Sequence, residues 1–189
     1  ELTHDAPVVR FPLTHAGSAV DEREALLVWT TTPWTLTSNV AAAVGPDLTY
    51  VKVRAQDGWV YYLAEGTLSH VIKGKVKVLG RIKGTDMVGW TYVGPYDELP
   101  AIQASSVPAF HRIIPWDAVG EEEGTGIVHI APGCGAEDFE LGKIHTLPAV
   151  APLLENGIFR DGFGWLTGRA VGDTDPAIFQ DLEDKERLY

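Results

Sequence analysis

The chain of 189 residues is expected to be a mainly β protein, and three observations carry that expectation. Short apolar or alternating runs recur along most of its length, the pattern of strands with one or both faces buried. Turn signals such as Gly45-Pro46-Asp47 and Asp57-Gly58 separate these runs, and Asp-Gly between two alternating segments is a hairpin signal. Only a few segments, near 65–72, 136–144 and from 175 onward, carry helical spacing or helix-start chemistry. With no internal repeat, low-complexity tract or linker, residues 1–189 are expected to form one domain.

Taken in order, Pro7 to Pro12 and Ala25 to Thr30 read as strands joined by a polar turn through Ala16-Gly17-Ser18. Pro33 removes a backbone donor and pushes Thr32 toward extended geometry, so the second strand stops near Thr32. Thr35 to Asn39 suits one helical turn, and Val40 to Val44 an apolar strand. Thr49 to Ala55 and Trp59 to Ala64 are the arms of the hairpin. Glu65 to Ile72 is a short helix with Leu68, Val71 and Ile72 on one face. Val76 to Ile82 is a strand, and Gly84 to Trp90 a turn with a helical stub. Thr91 to Val93, Ala101 to Gln103 and Ala109 to Pro115 read as further strands. A strand carrying His129 ends at Pro132, and Ala136 to Ile144 opens a helix whose first turn is acidic, where the dipole favours it. In the tail, Glu155 to Asp161 resembles a hairpin strand, Phe163-Gly164-Trp165 a packed turn and Gly168 to Asp173 a loop. Asp175-Pro176 starts a last helix with aspartate as its cap.

Composition narrows the function classes. Hydrophobic residues at 45% and charged ones at 22% describe a globular chain. No apolar run approaches the roughly 20 residues of a membrane helix. The net charge of −11 argues against strong nucleic-acid binding by this chain alone, because phosphate neutralisation supplies most of that affinity. Lys73, Lys75, Lys77, Arg81 and Lys83 alternate along one strand, as either a solvated face or a phosphate track. Cys134 is the single cysteine, which excludes an internal disulfide and fits a reducing cytoplasm. It is either a nucleophile or a small residue in a Gly-Cys-Gly turn. The chain begins at Glu1 and Met87 is its single methionine, so it is expected to be excised from something longer.

Two stretches carry chemistry. Trp29-Thr30-Thr31-Thr32-Pro33-Trp34-Thr35-Leu36-Thr37-Ser38-Asn39 presents a row of hydroxyls in a stiff, bulky frame. On its own it is either a polar site or a strand end with a helix cap. The second stretch runs from Gly124 to Asp138; in it His129 is either a site residue or a satisfied core histidine, and Asp138 either a site carboxylate or a helix-start one. No zinc-like spacing of His and Cys, no Gly-x-Ser-x-Gly elbow and no phosphate-loop or dinucleotide fingerprint is present. What remains suits a small polar substrate and an attacking water.

The two stretches, with Trp165-Leu166-Thr167-Gly168 and the closing helix, resemble the editing domain of isoleucyl-tRNA synthetase, inserted in the catalytic domain of a class I enzyme. The related valyl and leucyl enzymes usually carry Thr-Thr-Arg-Pro where this chain has Thr30-Thr31-Thr32-Pro33, which favours the isoleucyl type. One departure is Thr37-Ser38, where the family often has Pro-Ala. The synthetase's His-Ile-Gly-His and Lys-Met-Ser-Lys-Ser signatures are absent, so ATP binding and isoleucine activation belong to the parent enzyme. The resemblance implies a closed six-stranded β-barrel decorated with short helices; strand spacing alone does not distinguish barrel from sandwich. It also implies hydrolysis of valyl-tRNA of the isoleucine type, with valyl-adenylate as a further substrate, while isoleucyl-tRNA is spared.

A second sieve is needed because removing one methylene changes binding by only about 1–3 kcal/mol, a limit for which isoleucine against valine at the isoleucyl enzyme is the standing example. By resemblance, Thr30, Thr31, Thr32 and Asp138 do the catalytic work, Asp138 also pairing with the substrate ammonium. Trp29, Trp34, Asn39 and His129 bind the substrate, with His129 crowding out isoleucine and Tyr189 as a further wall. No metal or other cofactor is expected. The implied partners are the 3′ end of mischarged tRNA with its valine moiety and the rest of the parent synthetase; a monomer is expected, with no membrane. Two other readings stand beside this one: a non-catalytic insertion that docks the tRNA acceptor end, and a valyl-type editor acting on threonyl-tRNA, disfavoured by the missing arginine.

Overall fold

The computed structural model describes residues 6–14 and 23–189. The expected turn through Ala16-Gly17-Ser18 lies outside the described residues. The strands are Val8–Pro12 (β1), Glu24–Trp29 (β2), Ala41–Val44 (β3), Thr49–Arg54 (β4), Val60–Ala64 (β5), Lys77–Lys83 (β6), Ile113–Pro115 (β7) and Ile127–Ile130 (β8). The α-helices are Leu68–Val71 (α1), Gly84–Met87 (α2), Pro100–Gln103 (α3), Ala136–His145 (α4) and Asp175–Asp184 (α5).

All eight strands join one sheet in the order β6-β4-β5-β2-β8-β3-β7, with β1 also paired to β2. β2 organises this arrangement. β1 runs antiparallel along one edge of it. The other edge is shared, with Glu24–Leu26 pairing β5 in parallel and Trp29 pairing Val128 of β8. The fork splays the two arms, and the sheet curls around a common core into a half-barrel. Alternate residues of β2 serve different cores: Leu26 and Val28 face the inside of the curl, while Ala25 and Leu27 face outward against α1 and the β4–β5 hairpin. β3 divides likewise, with Ala42 and Val44 inside and Ala41 and Ala43 packed beside Leu141 of α4. Burial on both faces is why these strands read as continuous apolar runs.

β6 is an edge strand, mostly exposed, and its basic residues belong to that solvated face. Charges on an edge discourage pairing with another chain. Arg81 there meets Glu65 at 2.7 Å.

Several elements differ from expectation. Ala101 to Gln103 is helical, in α3, because Pro100 occupies its first turn, where a missing N–H costs nothing and the fixed φ already suits a helix. Within 109–115 only Ile113–Pro115 is strand, since Val107–Phe110 forms a 3₁₀ turn with Pro108 in its first positions. Thr91 and Tyr92 make isolated bridges, Leu13 to Tyr92 and Thr91 to Arg112. In 155–161 there are again only bridges, Leu153 to Phe159 and Ile158 to Ala170. The cap of α5 is Thr174, whose hydroxyl donates to the Val171 carbonyl, and Asp175 stands inside the first turn. No helix among the described residues is long and apolar enough to cross a membrane.

Candidate functional site

The two chemistry-bearing stretches meet because β2 and β8 are neighbours. The Trp29–Val128 pairing sets the end of β2, and the threonines that follow it, beside the histidine strand. Pro33 then starts a 3₁₀ turn, Pro33–Ser38, that folds the threonine stretch back on itself. On the other side, β8 ends at Ile130 and the chain turns into α4 with Gly135 at the cap, so Asp138 falls in the first helical turn. Gly124 has φ +65° and sits against the Trp29 indole, leaving no room for a Cβ. A side chain there would be strained twice over.

Between these elements lies a cavity of about 240 Å³, lined by Trp29, Thr30, Thr31, Thr32, Trp34, Thr35, Val128, His129, Cys134, Gly135 and Asp138. Seven residues expected from sequence are therefore brought together: Trp29, Thr30, Thr31, Thr32, Trp34, His129 and Asp138. Asn39 stands behind His129, buried and outside the lining. Tyr189 is elsewhere. It packs edge-on against Tyr61 at 5.3 Å with the Arg10 guanidinium over its ring, because the chain end bonds back to β1 through the Val8 carbonyl. The expected wall at Tyr189 is thus not part of this cavity.

The hydroxyls are ordered by local bonds. The Thr32 amide donates to Thr30 Oγ1 at 3.0 Å, and Thr31 Oγ1 lies 3.4 Å from Thr32 Oγ1. Thr35 Oγ1 donates to the Thr32 carbonyl at 2.7 Å and lies 2.8 Å from His129 Nε2. Thr30 is buried, while Thr31 and Thr32 are exposed.

His129 is 7% exposed, and burial pushes its pKa down to about 3 against a weaker opposing hydrogen bond at Thr35. Its tautomer follows from its partners. Asn39 Nδ2 faces the Ala41 carbonyl at 3.0 Å and His129 Nδ1 at 2.8 Å. A carbonyl only accepts, so the amide nitrogen is the donor there, and its second hydrogen goes to Nδ1. The imidazole proton therefore sits on Nε2 and is donated to Thr35, whose own hydrogen goes to the Thr32 carbonyl. Tyr92 completes the line by donating to Asn39 Oδ1 at 2.7 Å.

Asp138 Oδ2 accepts the Ala131 N–H at 2.8 Å. Burial raises its pKa, and that backbone bond pulls the other way. Its Oδ1 has no hydrogen-bond partner among the described residues. Trp29 Nε1 is likewise buried without an acceptor. Burial pushes the Cys134 thiol up to about 12, which leaves it protonated and poorly nucleophilic. Among the described residues no three His, Cys, Asp or Glu side chains are grouped as metal ligands.

Sequence reasoning missed Thr35, Cys134 and Val128 as lining residues and Tyr92 as a partner. Thr35 carried a signal, its place in the hydroxyl row; Tyr92 carried none, being 53 residues from Asn39.

No family model matches the chain. Among curated proteins it is 45% identical over 164 residues to the isoleucine–tRNA ligase of Methanothermobacter thermautotrophicus, covering 86% of this chain and 15% of that protein. It is 38% identical over 180 residues to the isoleucine–tRNA ligase of Carboxydothermus hydrogenoformans, covering 93% and 18%. The chain thus spans less than a fifth of the length of these relatives. Among solved structures, the crystal structure of GlLeuRS-CP1 superposes with a TM-score of 0.76 at 14% identity, covering 98% of both chains. The P. knowlesi cytosolic leucyl-tRNA synthetase editing domain gives 0.57 at 14% identity, covering 75% of this chain and 65% of the other. The chain therefore belongs with the isoleucine–tRNA ligases, as the counterpart of one stretch of their length, and it has the fold of class I synthetase connective-peptide, or editing, domains.

Proposed function

We propose that this chain hydrolyses the ester linking valine to mischarged isoleucine tRNA and spares the isoleucyl ester. The observation that carries the reading is the convergence of the threonine row, His129 and Asp138 on one small cavity. Asp138 pairs with the substrate ammonium through its free Oδ1, a charge-assisted contact that fixes the ester's orientation. Thr30, Thr31 and Thr32 hold the ester and the attacking water by hydrogen bonds. Water adds to the ester carbonyl, the hydroxyl dipoles stabilise the oxyanion, and the ribose oxygen leaves with a proton; positioning and preorganised dipoles suffice for so labile a bond. His129 is a wall in this scheme. One ring nitrogen accepts from Asn39 and the other donates to Thr35, so it has no lone pair left for water. Trp29 and Trp34 shape the pocket, and Asn39 acts through His129.

In this reading the reaction needs no metal or cofactor. The chain works as a single domain and a monomer in the cytoplasm, within a parent synthetase that supplies ATP chemistry and most of the tRNA grip. The fold supports the closed six-stranded barrel of such domains: β1, β2, β8, β3 and β7 form a circuit whose remaining side is Thr91–Tyr92, bridged to Leu13 and Arg112. The test is to incubate the chain with valyl-tRNA and isoleucyl-tRNA and measure deacylation of each. Selective loss of valine is expected; loss of neither ester would leave a docking insertion instead.

A further inference from the structure

We propose that Tyr92 is a positioning residue which, through Asn39, locks His129 in its Nε2–H tautomer and fixes the ring against the cavity. Tyr92 does not line the cavity, and its hydroxyl reaches no substrate atom. It is buried, its ring stacked between Phe11 at 4.9 Å and His111 at 5.0 Å, so its hydroxyl is aimed by packing on both faces. That hydroxyl donates to Asn39 Oδ1, which settles which end of the amide points away from His129. A flipped Asn39 would leave the Tyr92 proton facing an NH₂ group and the Ala41 carbonyl facing an oxygen. Two buried mismatches at once are costly, because each unmet polar group bears its full desolvation penalty. The amide is therefore held, its nitrogen meets Nδ1, and the ring keeps its proton on Nε2. From there the bond to Thr35, and Thr35's bond to the Thr32 carbonyl, tie the histidine wall to the threonine backbone. The imidazole is held at both nitrogens.

The consequence for substrate choice rests on the proposed editing function. A wall that excludes one methylene must not swing, since a ring free to rotate would admit isoleucine. Loosening Asn39 should therefore show as lost discrimination more than as lost turnover.

The test is long-range ¹H–¹⁵N spectroscopy of the His129 ring, assigned by its disappearance in His129→Gln, with deacylation of both esters measured on the same samples. The unaltered chain should show a single Nε2–H tautomer. Tyr92→Phe keeps the stacked ring and so should fold; it is expected to give mixed tautomers and a two- to tenfold fall in the valyl-to-isoleucyl ratio, roughly what one hydrogen bond is worth. Asn39→Asp, if it folds, should move the proton to Nδ1, because it replaces the donor by an acceptor. An Nδ1–H tautomer in the unaltered chain, or an Nε2–H tautomer undisturbed by Tyr92→Phe, would overturn the proposal. If the unaltered chain hydrolyses neither ester, the editing reading fails while the spectra still decide the tautomer lock.

Discussion

Two buried histidines connect to Tyr92, His111 by stacking and His129 through Asn39, and their surroundings are opposites. His111 Nδ1 lies 3.0 Å from the Val40 carbonyl and its Nε2 2.7 Å from Asp97 Oδ1. Both partners are acceptors. Asp97 is held in turn, the Gly94 amide donating to its other oxygen at 3.0 Å. His129 faces one donor and one hydroxyl and stays neutral. The carboxylate of its cavity, Asp138, gets a single backbone N–H and, among the described residues, no cation. One histidine belongs to a pair closed on itself; the other sits in a cavity that leaves a charge to be met from outside. On the proposed function, that difference separates a histidine that holds the fold together from one placed for a ligand.

The comparison is broken most forcefully at the two carboxylates. Asp138→Ala should reduce hydrolysis of valyl-tRNA by roughly a hundredfold, about 3 kcal/mol for removing one partner of a desolvated charge pair, with a smaller loss of stability, set by the Ala131 N–H it leaves unmet. Asp97→Ala should do the reverse, costing about 2 kcal/mol of stability for a lost charged hydrogen bond. Urea titration of both variants beside single-turnover deacylation checks the contrast. Comparable losses of stability in the two would mean that Asp138 is also a structural carboxylate.

A second contrast concerns acid. His129 has a folded pKa near 3 against about 6.5 when unfolded, so between those values the unfolded chain binds a proton that the folded chain refuses. Its contribution to stability is present above pH 6.5 and is lost as pH falls toward 3, by at most about 1.4 kcal/mol per pH unit. Unfolding measured from pH 6.5 to 4 should show this slope, and His129→Gln should flatten it.

How much of this was readable beforehand depends on how local each feature is. Thr30 to Trp34, His129 and Asp138 sit in two contiguous motifs, and strand signals on either side were enough to place them at strand ends and a helix start. The cores were legible for the same reason, since β2, β3 and β5 are apolar on both faces. Bonds made across the fold were not legible. Asn39 to Tyr92, and His111 to Asp97 beneath it, depend on register between elements that no local pattern fixes. Asn39 was accordingly expected to touch substrate, when its amide hydrogens are both spent on the Ala41 carbonyl and His129. Ala101 to Gln103 is too short to show a period, and Pro100 is the informative neighbour. Resemblance alone points Tyr189 toward the site, whereas its contacts are with Arg10 and Tyr61.

The smallest effect is expected at Cys134. Its thiol lines the cavity but is held protonated by burial, so iodoacetamide at pH 8 should label the folded chain at least about tenfold more slowly than the unfolded chain. Mass spectrometry over time reads this directly. Equal rates would place an ionisable thiol in the cavity and blur its distinction from a nucleophile's site.

The contrast between the two histidines bears most directly on whether His129 is a wall or a base, and His129→Ala decides it. If His129 only sets the size of the cavity, the variant should keep hydrolysing valyl-tRNA and begin to hydrolyse isoleucyl-tRNA. If valyl-tRNA hydrolysis collapses and isoleucyl-tRNA is still spared, the histidine is doing chemistry, and the neutral, doubly bonded wall described above is wrong.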